Sequence, residues 1–336
     1  MRAAIERWLL ARWFGKPGVL WLLLPLEWLY RLVVAWRGSP TGVRPPVPVI
    51  VVGNLAVGGS GKTPLVLALV AAVRQQGLRP GVIARGHGGR GPFPLKVGID
   101  TAAAASGDEP LLVARRHQGV PVFVAPDRRA ALAAVLAEGV DVVISDDGLQ
   151  HLSLQRSVEI AVVDGRRGLG NGRCLPVGPL REPPARLSRV DFVVVNGGEC
   201  PSLPVAAVTS MRLQPALFRR VGVPAETLDP AAMRARCVAP PSALAGIGDP
   251  SRFFATLQSL GIDAEGHPFG DHHAYTVDDL RPFAGRLLLM TEKDAVKCAD
   301  LVAVVGIDAW YLEVDAVLPA EFFSRVFARA VGNDRS

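Results

Sequence analysis

The residue types that could do chemistry in this chain fall into a few clusters, and the strongest is 58–63, Gly-Gly-Ser-Gly-Lys-Thr. An apolar β-branched run at 49–52 precedes it, and Pro64, Leu65, Leu67, Leu69, Val70 and Val73 follow as an apolar helix. Proline suits a helix's first turn, where its missing N–H is not needed. Strand, glycine turn, Lys-Thr and helix together make a phosphate cradle. Glycines let backbone N–H groups turn inward, the helix end adds partial positive charge, and the lysine reaches the β- and γ-phosphates. Gly58, Gly59, Ser60 and Gly61 form the loop, Lys62 takes the phosphate role, and the Thr63 hydroxyl falls where Mg²⁺ is held. Ala56 stands where the usual pattern has its first glycine. The alternative is an ordinary glycine turn with a surface lysine; the flanking strand and helix argue against it.

Asp146-Asp147 closes a second apolar run, 140–145. A carboxylate there is where a protein with such a cradle holds Mg²⁺, although adjacent aspartates also start turns and cap helices. Gln150-His151 lies directly beyond, within reach of nucleotide or metal-bound water. Asp108 precedes a helical pattern at 111–116, so an N-cap role is equally open. His272 lies far along the chain, and adjacent His272 and His273 cannot share a helix face, which weakens a metal reading. An imidazole and a carboxylate brought together over a γ-phosphate could instead take the proton of an attacking hydroxyl. Arg128, Arg129, Arg166, Arg167, Arg173 and Arg181 could stabilise charge on a transferring phosphoryl group, against the commoner role of solvated surface arginine. Thr291-Glu292-Lys293-Asp294 has its lysine and aspartate adjacent, the wrong register for a guanine-reading T-K-x-D.

The elements that must position these residues alternate. Strands at 79–85, 120–125, 140–145, 160–163 and 192–195 are separated by helical stretches, and most are apolar throughout, as in a parallel sheet covered on both faces. In such sheets ligands gather at the strands' carboxyl ends, where the cradle, Arg85, Asp127 and Asp146-Asp147 all fall. The fold class expected is α/β, a P-loop-type mostly parallel sheet with helices on both faces, plus a smaller C-terminal α/β lobe joined by a hinge. The boundaries read as 1–38 for an N-terminal hydrophobic segment, 39–205 for the nucleotide-binding domain, 206–238 for the hinge and 239–336 for the second lobe. Pro215, Pro224 and Pro230 interrupt the hinge stretch.

At 336 residues, two domains are the natural expectation, and 49% hydrophobic against 20% charged residues excludes disorder. A net charge of +6 suggests an anionic partner. Trp8, Trp13, Trp21, Trp28 and Tyr30 crowd the first thirty positions, favouring an anionic bilayer surface over nucleic acid. Residues 17–36 approach spanning length, but Pro25, Glu27 and Arg31 argue for a helix lying in the interface. The competing reading packs that helix on the protein's own core. Cys174, Cys200, Cys237 and Cys298 are scattered, as in a reduced compartment without zinc.

GNLAVGGSGKTP, ARGHGG, SGDEP, APDRR, DDGLQH, GNGRCLPVGPLREP, FGDHHAY and TEKDAVK, in this order over about residues 47–298, resemble the tetraacyldisaccharide 4'-kinase family. His87 and Ala56 are departures from its pattern. The resemblance implies a kinase that uses ATP and Mg²⁺ to phosphorylate the 4'-hydroxyl of the lipid A disaccharide precursor, a glycolipid in the membrane. It implies that Asp108 is the catalytic base with His272 as partner, and that Lys62 and Thr63 bind phosphate and Mg²⁺. Asp146, Asp147 and His151 would be metal and phosphate-site residues, and Glu182 a further metal-site candidate. It places the chain at the cytoplasmic face of the inner membrane, peripheral or with a single N-terminal anchor; no protein partner is indicated. The rival reading is a membrane-recruited nucleotide switch or assembly factor with slow hydrolysis, which explains cradle and anchor but leaves Asp108 and His272 idle.

Overall fold

A thirteen-stranded sheet runs through the computed structural model, which describes residues 2–36, 38, 42, 44–198, 203–205 and 207–332. Its first half comprises β1 (Val49–Gly53), β2 (Pro80–Ala84), β3 (Leu95–Lys96), β4 (Val122–Val124), β5 (Val142–Asp146), β6 (Val158–Asp164) and β7 (Phe192–Asn196). In space the order is β7-β6-β1-β5-β2-β4-β3, all parallel except the short edge strand β3. Side chains alternate across the sheet. Ile50 and Val52 join the core formed with Leu65, Leu69, Phe322 and Val326, whereas Val49 and Val51 join Ala131, Leu132 and Val135 on the other face. Burial on both faces is why these strands read as continuous apolar runs.

The second half comprises β8 (Thr209–Arg220), β9 (Val223–Leu228), β10 (Ser242–Ala245), β11 (Glu265–Pro268), β12 (Leu287–Thr291) and β13 (Asp308–Val317), in the order β11-β10-β12-β13-β8, with β9 also on β8. The helices are α1 (Arg2–Trp13), α2 (Leu24–Trp36), α3 (Lys62–Gln75), α4 (Ala103–Ser106), α5 (Asp108–Arg116) and α6 (Arg128–Leu136) in the first half. α7 (Pro230–Arg236), α8 (Pro250–Ser259), α9 (Val277–Leu280), α10 (Glu292–Val305) and α11 (Ala320–Gly332) follow.

The proline-bearing stretch forms β8, β9 and α7: Pro224 lies in β9 and Pro230 opens α7, but Pro215 lies inside β8, the strand both halves share. β8 begins parallel to β7 (Asn196 opposite Met211) and continues antiparallel to β13 (Val317 opposite Arg212, Trp310 opposite Arg220). Pro215 is tolerated where the β8–β13 register shifts, between Leu312 and Val314, and where β7 and β9 do not reach. This layout has a consequence for the site. Strands of the first half run up to Met211 and stop, and strands of the second half run down towards Arg212. Their carboxyl ends therefore face each other across the middle of β8, so both halves contribute loops to one cleft.

The N-terminal segment is docked on the body. A 3-10 stretch, Gly18–Leu23, leads into α2, and together Gly18–Trp36 are long and apolar enough to cross a membrane by length and composition. Glu27 is 1% exposed: its Oε1 accepts the Cys174 N–H at 3.1 Å, with Arg31 and Arg173 each 4.0 Å away. Trp13 Nε1 donates to Pro176 O at 3.0 Å and the Tyr30 hydroxyl to Arg181 O at 2.8 Å. The opposite side of α2 leaves Trp28, Leu29, Leu32 and Trp36 exposed. One face of the segment thus packs on the protein and the other presents apolar surface. Cys174, Cys237 and Cys298 are free thiols; Cys200 lies outside the described residues.

Candidate active site

β1 ends at Gly53 and the chain loops over residues 54–61 into α3. Asn54 Nδ2 donates to Gly58 O at 3.1 Å, and Asn196 Nδ2, from the end of β7, donates to Ser60 O at 3.0 Å. Gly61 caps α3 at φ +91°, and a Cβ there would lie 2.2 Å from the Asn196 amide nitrogen. Gly59 has open space and ordinary φ. Gly61→Ala should therefore destabilise the protein by about 1–3 kcal/mol, and Gly59→Ala by under about 0.5 kcal/mol. Thermal unfolding of the two variants checks this, and equal melting temperatures would refute it.

Lys62, buried at the start of α3, places Nζ 3.6 Å from Asp147 Oδ1. Asp147 has φ +47° and accepts two bonds from Arg181 Nη1 at 3.1 and 3.0 Å. Burial works against its charge, but Lys62 and Arg181 outweigh it and hold the carboxyl below its ordinary value. Asp146 ends β5. It is fully buried, burial pushes its carboxyl upward, and its Oδ1 has no protein partner. Arg128, 1% exposed at the start of α6, donates to Asp146 O at 2.6 Å, while Nε and Nη1 are buried without partners. Burial lowers its guanidinium to about 10. Buried polar atoms of Asp146 and Arg128 left without hydrogen-bond partners point to a polar ligand beside them.

Other candidates are placed differently. Glu182 accepts from Gln150 Nε2 at 2.7 Å and from Arg186 Nε at 3.1 Å, so both oxygens are engaged and its metal role is not built into this arrangement. Arg129 turns outward to Asp127 (3.1 Å) and does not join the cleft. His151 is half-buried near Arg128, and burial first, then Arg128, depress its imidazole to about 4. Among the described residues no three His, Cys, Asp or Glu side chains form a ready metal cage. The unpartnered Asp146 Oδ1 fits Mg²⁺ of the kind that arrives with phosphates, which needs only one or two protein ligands.

Asp108 is not a cap. Gly107, at φ +86°, occupies the cap position, and α5 starts at Asp108, three residues earlier than the helical pattern indicated. The carboxylate is buried: Oδ1 accepts the Glu109 N–H at 3.0 Å, and Oδ2 lies 3.1 Å from His272 Nδ1. An ionised carboxylate only accepts, so Nδ1 carries the proton. Burial alone would raise Asp108; the His272 bond and the Lys293 charge override it and bring it to about 2. The same bond raises His272, which sits at φ +56° in the loop after β11. The His87 ring meets the His272 ring edge-on at 5.6 Å.

Lys293 enters the site in a role that its sequence motif does not indicate. Lys293 Nζ lies 3.3 Å from Glu109, 3.5 Å from Asp271 and 3.7 Å from Asp108. Its place just past the end of β12 is the signal the sequence carries for it. Other contacts join the two halves. Arg116 pairs with Glu292 and Glu313 at 3.4 Å each, Arg252 with Asp164 at 2.5 Å, and Arg167 Nη2 donates to Gly248 O at 3.0 Å. A Cβ on Gly248 would lie 3.2 Å from the Gly59 nitrogen, so the second half rests against the glycine loop. The N-termini of α3, α5, α6 and α10 thus bring Lys62, Asp108, Arg128 and Lys293 to one cleft, an arrangement able to hold phosphates and move a proton.

Comparison with known proteins gives the family. The LpxK family, tetraacyldisaccharide-1-P 4'-kinase, matches residues 19–331. The tetraacyldisaccharide 4'-kinase of Hahella chejuensis is 45% identical over 336 residues, 96% of each chain. That of Dechloromonas aromatica is 48% identical over 323 residues, 94% of each. A crystal structure of LpxK from Aquifex aeolicus in complex with ATP superposes with a TM-score of 0.75 at 27% identity, covering 93% of this chain and 99% of that one. On these matches the chain belongs to the tetraacyldisaccharide 4'-kinase family, and its mostly parallel α/β sheet is that of a phosphotransferase.

Proposed function

We propose that this enzyme transfers the γ-phosphoryl group of ATP to the 4'-hydroxyl of a tetraacyldisaccharide 1-phosphate, with Asp108 as the base. The observation that carries the reading is the Asp108–His272 pair, a buried carboxylate against a partly exposed imidazole, which Lys293 and Glu109 link to the Asp146-Asp147 side of the cleft where Lys62 lies. Backbone N–H groups of 58–61 and the start of α3 hold the phosphates, and Lys62 leaves Asp147 for them. Arg128 offers two unpartnered nitrogens to the transferring group. Asp146 and Thr63 would hold Mg²⁺, which when bound neutralises phosphate charge. Asp108 accepts the hydroxyl proton as that oxygen bonds to the γ-phosphorus and the bond to ADP breaks. A carboxylate near 2 is a weak base, suited to a loose transition state in which the proton leaves late. His272 donates through Nδ1 and keeps Asp108 aligned and ionised. Admitting substrates requires the halves to part at Arg167–Gly248 and Arg252–Asp164 and to close again, with β8 as the pivot. Incubating the protein with labelled ATP and the acylated disaccharide, then locating the label, tests the reading; phosphate anywhere but the 4'-oxygen overturns it.

The lipid acceptor is met at the bilayer. α2 turns Trp28, Leu32 and Trp36, four residues apart, away from the protein at 64, 68 and 89% exposure. Its docked face reaches the site through Tyr30, bonded to the carbonyl of the Arg181 that holds Asp147. The helix therefore lies along the membrane interface at a fixed height relative to the cleft. Changing Trp28, Leu32 and Trp36 together to serine should weaken binding to anionic vesicles by roughly a hundredfold or more, from the apolar burial lost, with an unchanged melting temperature. Co-sedimentation measures this, and undiminished partition would sink the interfacial role.

A further inference from the structure

Lys293 belongs to neither the phosphate loop nor the acid–base pair, yet it sits where the two halves meet. It lies in the first turn of α10, which packs against α5, and its side chain is 18% exposed. Its ammonium faces Asp108 and Glu109 on α5 and Asp271 in the His272 loop, at 3.3–3.7 Å. It also lies 3.4 Å from His272 Nε2. An ammonium only donates, so the ring nitrogen it meets must be the unprotonated one. The other nitrogen, Nδ1, faces a carboxylate that only accepts and so must carry the proton. The two contacts agree on a single tautomer.

We infer that Lys293 is a positioning residue for proton transfer, whose ammonium ties the halves together and, by donating to His272 Nε2, keeps the imidazole proton on Nδ1 against Asp108. This rests on the reading of Asp108 as base. Lys293 also acts through its charge. The groups facing the Asp108–His272 pair are Glu109 from α5, Asp271 and His87 from the loops, and Lys293 and Lys297 from α10. Lys293 opposes an added proton on either member of the pair. Without it the pair holds a proton to higher pH, and its base form is populated only at more alkaline pH.

The pH dependence of kcat, with ATP and the acylated disaccharide saturating, separates this from a merely structural role. Lys293→Met should move the acid limb upward by about one pH unit or more, the effect of a charge within 4 Å at a mostly buried site. It should also lower kcat about tenfold at neutral pH while leaving the ATP KM within a factor of about two. Lys293→Arg keeps the charge and should return the limb to its wild-type position. Asp108→Asn, measured alongside, separates the two claims. If it retains wild-type kcat, the base assignment fails and this inference with it. If it is inactive while Lys293→Met keeps the wild-type limb, only the role of Lys293 falls. A measurement free of variant folding uses the wild-type enzyme with ¹⁵N-labelled histidine at pH 8. His272 should show a protonated Nδ1 and a bare Nε2; the opposite tautomer overturns the inference.

Discussion

Asp108→Asn should lower kcat by about 10²- to 10⁴-fold, the range for loss of a positioned general base, while nucleotide binding stays near wild type. The asymmetry follows from where the side chain points. Its oxygens face the Glu109 N–H, His272 and Lys293 rather than the glycine loop, so the proposed triphosphate site should lose nothing when the charge goes. Asparagine keeps the shape and still accepts from His272 Nδ1 through its amide oxygen, but it cannot take a proton. His272→Ala should be milder. It leaves the carboxylate in place beside Lys293 and removes only the partner that aligns it. Calorimetric titration with ATP and steady-state rates with the acylated disaccharide measure both quantities. A kcat within about fivefold of wild type for Asp108→Asn would move the base elsewhere in the cleft. Loss of ATP binding in the same variant would mean that Asp108 serves the nucleotide rather than the acceptor.

The glycine-loop half of this cleft was legible in the sequence because its pattern is local. A buried strand, a glycine loop and an apolar helix lie within 26 residues, 48–73, and Asp146-Asp147 follows its own apolar strand directly. The family resemblance added His272 to Asp108 across 164 positions, a contact that no period or spacing could supply. What stayed hidden depends on long-range pairing. Pro215 signals a break in isolation, and only its neighbours in β8 and β13 show why the strand continues. The opposed arrangement of the two sets of strands, which creates the cleft, is a property of β8's two partners and leaves no mark in local periodicity. Glu27 counted as a charge against membrane insertion, yet it is the residue that docks α2 on the body through the Cys174 amide. Arg128 and Arg129 are neighbours of one type; burial at the start of α6 separates the one that enters the cleft from the one that meets solvent.

Lys62→Met should remove nucleotide binding and transfer together, with kcat/KM falling by at least about 10²- to 10³-fold, the loss expected for one preorganised donor to a phosphoryl group. Two effects of the same sign produce this. The phosphates lose their cationic partner in a buried site, where a charge-assisted bond is strong. Asp147 and Asp146 also lose a neutralising charge, since Lys62 opposes protonation of both. Asp147 keeps Arg181, at 3.0 Å, and stays ionised. Asp146 keeps only the smaller pull of Arg128, with no side-chain bond to its carboxyl, and burial already favours its neutral form. In the variant its carboxyl should titrate at still higher pH, making the Asp146 side of the cleft a poorer seat for a divalent cation. Raising Mg²⁺ should therefore recover little activity, whereas Lys62→Arg, which restores charge without the compact ammonium, should recover part of the binding. ATP titrations across Mg²⁺ concentration and pH distinguish these outcomes. Full recovery of Lys62→Met by Mg²⁺ alone would show that Lys62 acts only by neutralising the aspartates and not as a phosphate ligand.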